Sequence, residues 1–403
     1  MVRNSLLFAD IHGLREGCTE AVSEDFRAPP FQAIMGGQMG KNLHDIISGY
    51  NANSPLAEAH TIPSLWYVDP RVAELEDEAV FGRNWQTVGC IDQVEESGQF
   101  FTADVAGERI VVVRSADREL RAFYNVCRHH AAAVVTEAEG HAANFRCPYH
   151  GWTYGIDGTL KGTPDFDGVC NFDRSKNGLV PVRVASWEKF VFVNLDANAG
   201  SLEDFLGGLM KRAAPLRLAS LHFFERRSYE LNCNWKVYVD NFLDGGYHVP
   251  YLHKGLNSVL DYANYTIENE DRFCLQSSPV ETSSAAADAD AAATRQGNRA
   301  FYFWQYPNFM LNWYEGYLDT NLVLPLSIDR CRVIFDFYLR APEMRRRNTI
   351  SKASPSAIAC RKKTLGYAKR YSAGCIRGRM WRDAFPCAAK RANIYFTGYY
   401  TKI

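Results

Sequence analysis

The sequence predicts an α+β protein: a small all-β domain followed by a larger domain of helices and antiparallel sheet. Three observations predict it. The chain has 403 residues, a length that favours two cores over one. From Trp85 to Leu195, short apolar runs are cut by Gly, Asp and Asn. Beyond residue 200, helical and strand patterns mix without an internal repeat.

The elements follow in chain order. Residues 1–63 are of mixed character, with a Gly/Met-rich patch at Met35–Gly40, and read as a leader or arm. Pro63 and Pro70 bracket a turn. Arg71–Phe81 reads as an amphipathic helix with Val72, Leu75, Ala79 and Val80 on one face. Gln99–Val105, Arg109–Val113 and Phe190–Asn194 have the length and composition of strands. Residues 201–217 read as helical, and Phe223–Val239 as a strand leading into an element around Asp240–His253. Ser283–Thr294 is Ala/Asp-rich and reads as an exposed loop or short helix. Asn321–Leu326 and Arg332–Leu339 return to strand character. The expected boundaries are an arm over 1–63, a β domain over 64–200 and a second domain over 201–403, of which 340–403 form an anomalous tail.

Composition excludes several classes. With 47% hydrophobic and 23% charged residues, the chain is neither disordered nor collagen-like. A formal charge of −1 argues against a polybasic nucleic-acid binder. No run of about 18 uncharged apolar residues suggests a membrane span. Eleven scattered cysteines, an odd number, point to a reducing compartment. The first 30 residues hold Asp10, Glu16, Glu20, Glu24 and Asp25, a poor composition for a plastid transit peptide. Charge is unevenly placed: residues 340–403 hold 16 Lys+Arg and two acids, Glu343 and Asp383, whereas residues 1–339 hold 29 basic and 44 acidic residues.

The strongest chemical signal is CRHH at 127–130 with CPYHGW at 147–152. Cys127-x-His129 and Cys147-x-x-His150 are separated by 17 residues. Two thiolates and two imidazoles on paired loop tips fit Zn²⁺ or a mixed-ligand [2Fe–2S] cluster. Each pair holds one Cys and one His, which favours the cluster: both thiolates can bind one iron and both imidazoles the other. Gly151, Gly155 and Gly158 allow tight turns around a buried cofactor. His130 and His141 fall outside this pairing and read as peripheral.

A second constellation lies at NWKVYVDNFLDGGYHVPYLH, residues 234–253. On a helix broken near Pro250, His248 and His253 can turn toward one point. Two His and a carboxylate make the facial triad of an Fe(II) oxygenase. Asp244 lies one helical turn before His248 and can fix the tautomer of a ligating imidazole. Nine aromatics between Phe301 and Tyr317 suit a quaternary ammonium cation, and suit a sheet core equally.

Together these segments resemble the Rieske non-heme iron oxygenases, over roughly residues 60–340. Within that family, DNFLDGGYHVPYLH, GNRAFYFWQYPNFMLNWY and DTNLVLPL look like the plant choline-oxidising subgroup. The resemblance implies a Rieske domain with Cys127 and Cys147 on one iron, His129 and His150 on the other, and Trp152 packed over the cluster. It implies a mononuclear Fe(II) at His248 and His253, and electron transfer through Asp244, with Asp240 as fallback, to a neighbouring subunit of a homo-oligomer. Many members place this acid three residues before the first His, where Gly245 stands here. It further implies choline and O₂ as substrates, reduced ferredoxin as donor, and a chloroplast stroma location; the leader composition favours the cytoplasm instead. The family's third iron ligand comes from a C-terminal helix. Resemblance stops near Leu339, so three expectations stand for the tail: a frameshifted or mis-spliced translation, a variant using Asp383 or a water, or a protein without a catalytic iron. The competing class is a non-enzymatic Rieske electron carrier.

Overall fold

The computed structural model describes residues 42–51, 53–55, 58, 60–246, 249–252, 257, 260–280 and 297–340. The Met35–Gly40 patch, the expected loop at Ser283–Thr294 and the tail beyond residue 340 lie outside the described residues.

The first half is built from ten short strands: β1 (Gln86–Cys90), β2 (Gln99–Val105), β3 (Glu108–Arg114), β4 (Leu120–Tyr124), β5 (Glu139–His141), β6 (Asn144–Arg146), β7 (Thr153–Gly155), β8 (Leu160–Gly162), β9 (Pro181–Trp187) and β10 (Phe190–Asn194). They form a seven-stranded sheet of order β1-β10-β9-β4-β3-β2-β5 and a three-stranded sheet of order β6-β7-β8. Strand β3 shows why this sequence makes a sheet with two covered faces. Ile110 and Val112 enter one apolar cluster, and Val111 and Val113 enter another that also holds Cys127, Cys147 and Trp152. The pleat sends alternate residues to opposite faces, so a continuous β-branched run serves both.

Among its described residues the second half holds seven antiparallel strands: β11 (His222–Leu231), β12 (Thr266–Asn269), β13 (Phe273–Pro279), β14 (Arg299–Gln305), β15 (Phe309–Tyr314), β16 (Tyr317–Ser327) and β17 (Arg330–Leu339). Their order is β11-β17-β16-β15-β14-β13-β12. The fold class is therefore the expected one, an all-β domain followed by helices with an antiparallel sheet.

Several elements differ from the sequence reading. Part of the expected arm is core: Ile46, Tyr50 and Ile62 are buried in the same cluster as Trp66, and Trp66 Nε1 donates to Ile46 O at 2.9 Å. Between Pro63 and Pro70 the chain makes a short helix, Leu65–Val68. The expected helix 71–81 is α-helical only over Pro70–Leu75, then widens to a π-helix over Glu76–Phe81. That register buries Glu76 beside Ala79, Val80 and Phe81.

The helix of Trp235–Phe242 replaces the strand expected up to Val239. Asn234 caps it by accepting from Lys236 N at 3.0 Å. Trp235 through Asn241 are all buried. The helix's polar stripe, Lys236 and Asp240 one turn apart, is itself buried, so the amphipathic pattern does not mark a solvent face. The helix also ends earlier than expected. Leu243 is its C-cap, and Gly245 and Gly246 follow with φ of 74° and 70°. A second short helix, Val249–Leu252, contains Pro250. The break thus falls at the glycine pair and not at Pro250, because φ > 0 is available to glycine without steric cost.

Candidate metal centres

Two loops carry the first constellation, and they share one hydrogen-bond frame. In the first, Cys127 N donates to Ala132 O at 2.8 Å and Ala131 N to Cys127 O at 3.0 Å. In the second, Cys147 N donates to Trp152 O at 2.8 Å and Gly151 N to Cys147 O at 3.0 Å. Each loop turns through a left-handed fifth residue, Ala131 at φ 57° and Gly151 at φ 72°. Gly151 also leaves room for Arg146, whose Nη2 would lie 3.3 Å from an added Cβ. Gly158 is left-handed at φ 84°. Gly155 instead sits within β7.

The frame points the two cysteines inward, and both are buried. Burial and the neighbouring Cys127 thiol push the Cys147 thiol up, so the two sulfurs face one another in an apolar setting. The imidazoles stand at the loop tips: His129 is half-buried, and His130 and His150 are exposed. His129 stacks on Trp152 with ring centroids 4.7 Å apart and 3° between planes. Its Nδ1 is buried without a hydrogen-bond partner. Burial, with His130 and His150 close by, holds His129 below the usual imidazole range and so neutral. A buried thiol pair beside a neutral imidazole with an orphaned nitrogen is a fitting donor set for a cluster whose ligands must be deprotonated.

His130 is exposed, as a peripheral residue would be, and its ring lies beside the pair: ring nitrogens of His129, His130 and His150 lie within 4.8 Å of one another. In the shared frame, His130 occupies the place that His150 holds in the second loop, while His129 matches Tyr149. His141, by contrast, is far along β5 and bonds Ser97 O at 2.9 Å.

Tyr154 was not singled out by sequence, although it follows the second motif directly. Its hydroxyl accepts from Arg128 N at 3.0 Å and lies 3.3 Å from Cys127 Sγ. With the backbone amide donating to the oxygen, the phenol proton is left for the sulfur.

The second constellation is described in part. His248, His253 and Asp383 lie outside the described residues. Asp244 is buried and follows the helix of Trp235–Phe242 as part of the glycine turn. It is thus not one turn before His248 on a continuous helix. Asp240 lies inside the helix and accepts from the Tyr67 hydroxyl.

The sheet face beneath this helix is polar. Gln276 Nε2 donates to Phe242 O at 2.8 Å, and Tyr265 OH donates to Gln276 Oε1 at 3.0 Å. Asn312 Nδ2 donates to Asp319 Oδ2 at 2.9 Å and to Asn321 Oδ1 at 2.6 Å, and Asn321 faces the Tyr238 hydroxyl. The Tyr302 and Tyr314 hydroxyls meet at 2.6 Å. Strand register divides eight of the nine aromatics. Tyr302, Trp304, Tyr314 and Tyr317 share the face of Gln276, Asn312 and Asn321, while Phe301, Phe303, Phe309 and Trp313 point to the other.

Comparison with known proteins agrees with both halves. A Rieske [2Fe–2S] domain model matches residues 84–173, and the model of the ring hydroxylating alpha subunit catalytic domain matches 218–363. The chain belongs to the Rieske non-heme iron oxygenases, enzymes that carry a [2Fe–2S] cluster and a mononuclear iron. Within them it is 39% identical over 309 residues to the chloroplastic choline monooxygenase of Arabidopsis thaliana, covering 74% of this chain and 72% of that protein. It is 34% identical over 296 residues to the carnitine monooxygenase oxygenase subunit of Escherichia coli (strain K12), covering 71% and 77%. A solved quaternary ammonium Rieske monooxygenase superposes with a TM-score of 0.75 at 25% identity, covering 90% of this chain and 97% of that one. The catalytic-domain match runs past Leu339 to residue 363, so family likeness does not stop where the sequence reading placed its end.

Proposed function

We propose that the chain hydroxylates choline to betaine aldehyde hydrate. The observation that carries this is the polar sheet face beneath the helix of Trp235–Phe242. There Asp319 is buried and accepts from Asn312 Nδ2 at 2.9 Å, on the sheet face that also carries Tyr302 and Tyr314. A quaternary ammonium offers no N–H, so phenol faces and a desolvated carboxylate are the groups that recognise it. The basic side chain on β11 nearest that face, Arg227, is engaged by Glu225 through Nε at 2.7 Å and Nη2 at 2.6 Å. Choline needs no cation; carnitine, with its own carboxylate, would need one.

Cys127 and Cys147 would hold one cluster iron, and His129 and His150 the other. His248 and His253 would hold the mononuclear iron. These centres supply electron storage and O₂ activation when loaded. The protein's part is to bind the cation, exclude water and deliver charge. Asp244 is the proposed link between His129 or His150 of one subunit and the iron histidines of the next. The solved quaternary ammonium Rieske monooxygenase transfers electrons between its subunits, which supports a homo-oligomer here. Reduced ferredoxin is the proposed donor. The chloroplast stroma is the proposed location, by likeness to the Arabidopsis thaliana protein. Among the described residues no helix is long and apolar enough to cross a membrane.

Iron content and a substrate panel test this together. The expected outcome is the cluster's two irons plus one more per chain, with turnover of choline above carnitine. Asp319→Asn should raise KM for choline roughly tenfold or more with a smaller change in kcat, as expected for a lost ground-state contact. Cluster iron alone would assign the electron-carrier class and leave no role for Asp383. Preference for carnitine would move the substrate to that betaine, the runner-up that the bacterial relatives support.

A further inference from the structure

A buried cluster of ionisable groups links the helix of Trp235–Phe242 to the segment of Leu65–Phe81. Lys236 is completely buried, and its Nζ binds Glu76 Oε1 at 2.5 Å. Trp235 Nε1 donates to Glu76 Oε2 at 2.7 Å. The same ammonium lies 5.6 Å from the Tyr67 ring centroid, and the Tyr67 hydroxyl donates to Asp240 Oδ2. Asp240 is one turn after Lys236 and is 6% exposed. Its other oxygen, Oδ1, is buried with no hydrogen-bond partner among the described residues.

Charge balance singles out Asp240. The cluster holds two carboxyls, Glu76 and Asp240, and one cation, Lys236. The cation is in direct contact with Glu76, and its pull on Asp240 is smaller than the effect of burial, so Asp240 is only partly compensated. It also sits in the last turn of its helix, where the macrodipole disfavours an anion. A carboxyl so placed keeps its proton, because an uncompensated buried charge costs several kcal/mol or more. Yet Tyr67 and Lys236 soften the penalty, so the proton is releasable. Burial pushes Asp240 up to about 7, against the pull of the Tyr67 hydroxyl and then of Lys236.

We propose that Asp240 is a proton store for the oxygenase reaction, releasing its proton toward the Asp244 turn that precedes His248. Monooxygenation consumes one O₂, two electrons and two protons per hydroxylated product and water. The electrons come from the donor through the cluster. Asp240 supplies one of the protons and becomes a carboxylate, held by the Tyr67 hydroxyl and the Lys236 charge. It is reprotonated between turnovers from water. The neighbouring end of the cluster is near solvent: Glu76, Asp77, Asn234 and Trp235 line a cleft of about 600 Å³ between the two halves of the chain. Asp240 touches no reacting atom in this scheme; it is a positioning residue for a proton.

The test begins on the full chain without iron. Infrared spectra in H₂O and D₂O should show the carbonyl stretch of a protonated, buried carboxyl. The band should titrate with a midpoint of about 7 and be absent in Asp240→Asn. In Tyr67→Phe the midpoint should rise, because the lost hydrogen bond favoured the charged form. A wild-type spectrum without that band, or a band unchanged in Asp240→Asn, would overturn the proposal. On the iron-loaded enzyme, Asp240→Asn should lower product formation roughly ten- to a hundredfold and raise peroxide released per O₂ consumed. The solvent isotope effect on product formation should change with it. A normal rate with unchanged coupling and isotope effect would show that Asp240 stores no catalytic proton, even if the infrared band is present.

Discussion

Tyr154 shows how one side chain can set an electronic property. Its hydroxyl lies 3.3 Å from Cys127 Sγ, with Arg128 N donating to the phenol oxygen from behind. A donor aimed at a thiolate stabilises the reduced, more negative cluster and so raises its potential. Burial and the two thiols hold the phenol far above its usual range, so it stays a donor at every physiological pH. Tyr154→Phe should therefore lower the cluster potential by some tens of millivolts, the equivalent of a hydrogen bond worth about 1 kcal/mol. A redox titration followed by electron paramagnetic resonance reads it directly, and an unchanged potential would show that the hydroxyl does not act on the sulfur. At this scale the proposed ligand residues stand out in the sequence because Cys and His at short spacing are rare together. Tyr154 was not, since a tyrosine in a strand looks like core until the sulfur it faces is known.

At the scale of the element, the helix of Trp235–Phe242 carries the most. It brings Lys236 and Asp240 into one buried cluster and ends at the turn that holds Asp244. Asn234 fixes its start in three ways. Its side chain caps Lys236 N at 3.0 Å and donates to Tyr67 O at 3.2 Å and Ile328 O at 2.8 Å. Asn234→Ala should cost about 2–3 kcal/mol, one cap plus buried carbonyls left unpaired. Urea denaturation with an unchanged m-value checks this, and a loss of less than about 1 kcal/mol would mean that water replaces the side chain. Sequence placed the motif but misread its shape. Trp235, Val237, Tyr238 and Val239 have strand propensity, which outweighed the i,i+4 pair of Lys236 and Asp240 in the sequence reading.

At the scale of the molecule, the two halves share a core. Phe190 on β10 meets Phe309 at 5.0 Å and Tyr338 at 5.9 Å between ring centroids. Residues 42–62, expected as an arm, add Ile46, Tyr50 and Ile62 to the same cluster. A cluster shared by both halves predicts one cooperative unfolding transition. Phe190→Ala should cost about 3–5 kcal/mol and split that transition in calorimetry. A single transition with a small shift would show that the halves are coupled elsewhere.

By itself the sequence determined the fold class and the chemistry. Cys127, His129, Cys147 and His150 at their spacing point to a metal site, and short β-branched runs such as 110–113 point to a sheet. Only tertiary structure decided what these groups face. The shared loop frame brings His130 among the cluster histidines, and the π-helix turns Glu76 toward Lys236. It also leaves Asp240 to share the Lys236 charge with Glu76. Spacing along a chain encodes which atoms can meet one ligand. Burial, countercharge and orphaned donors depend on segments far apart in sequence, such as Tyr67 and Asp240, and so arise only on folding.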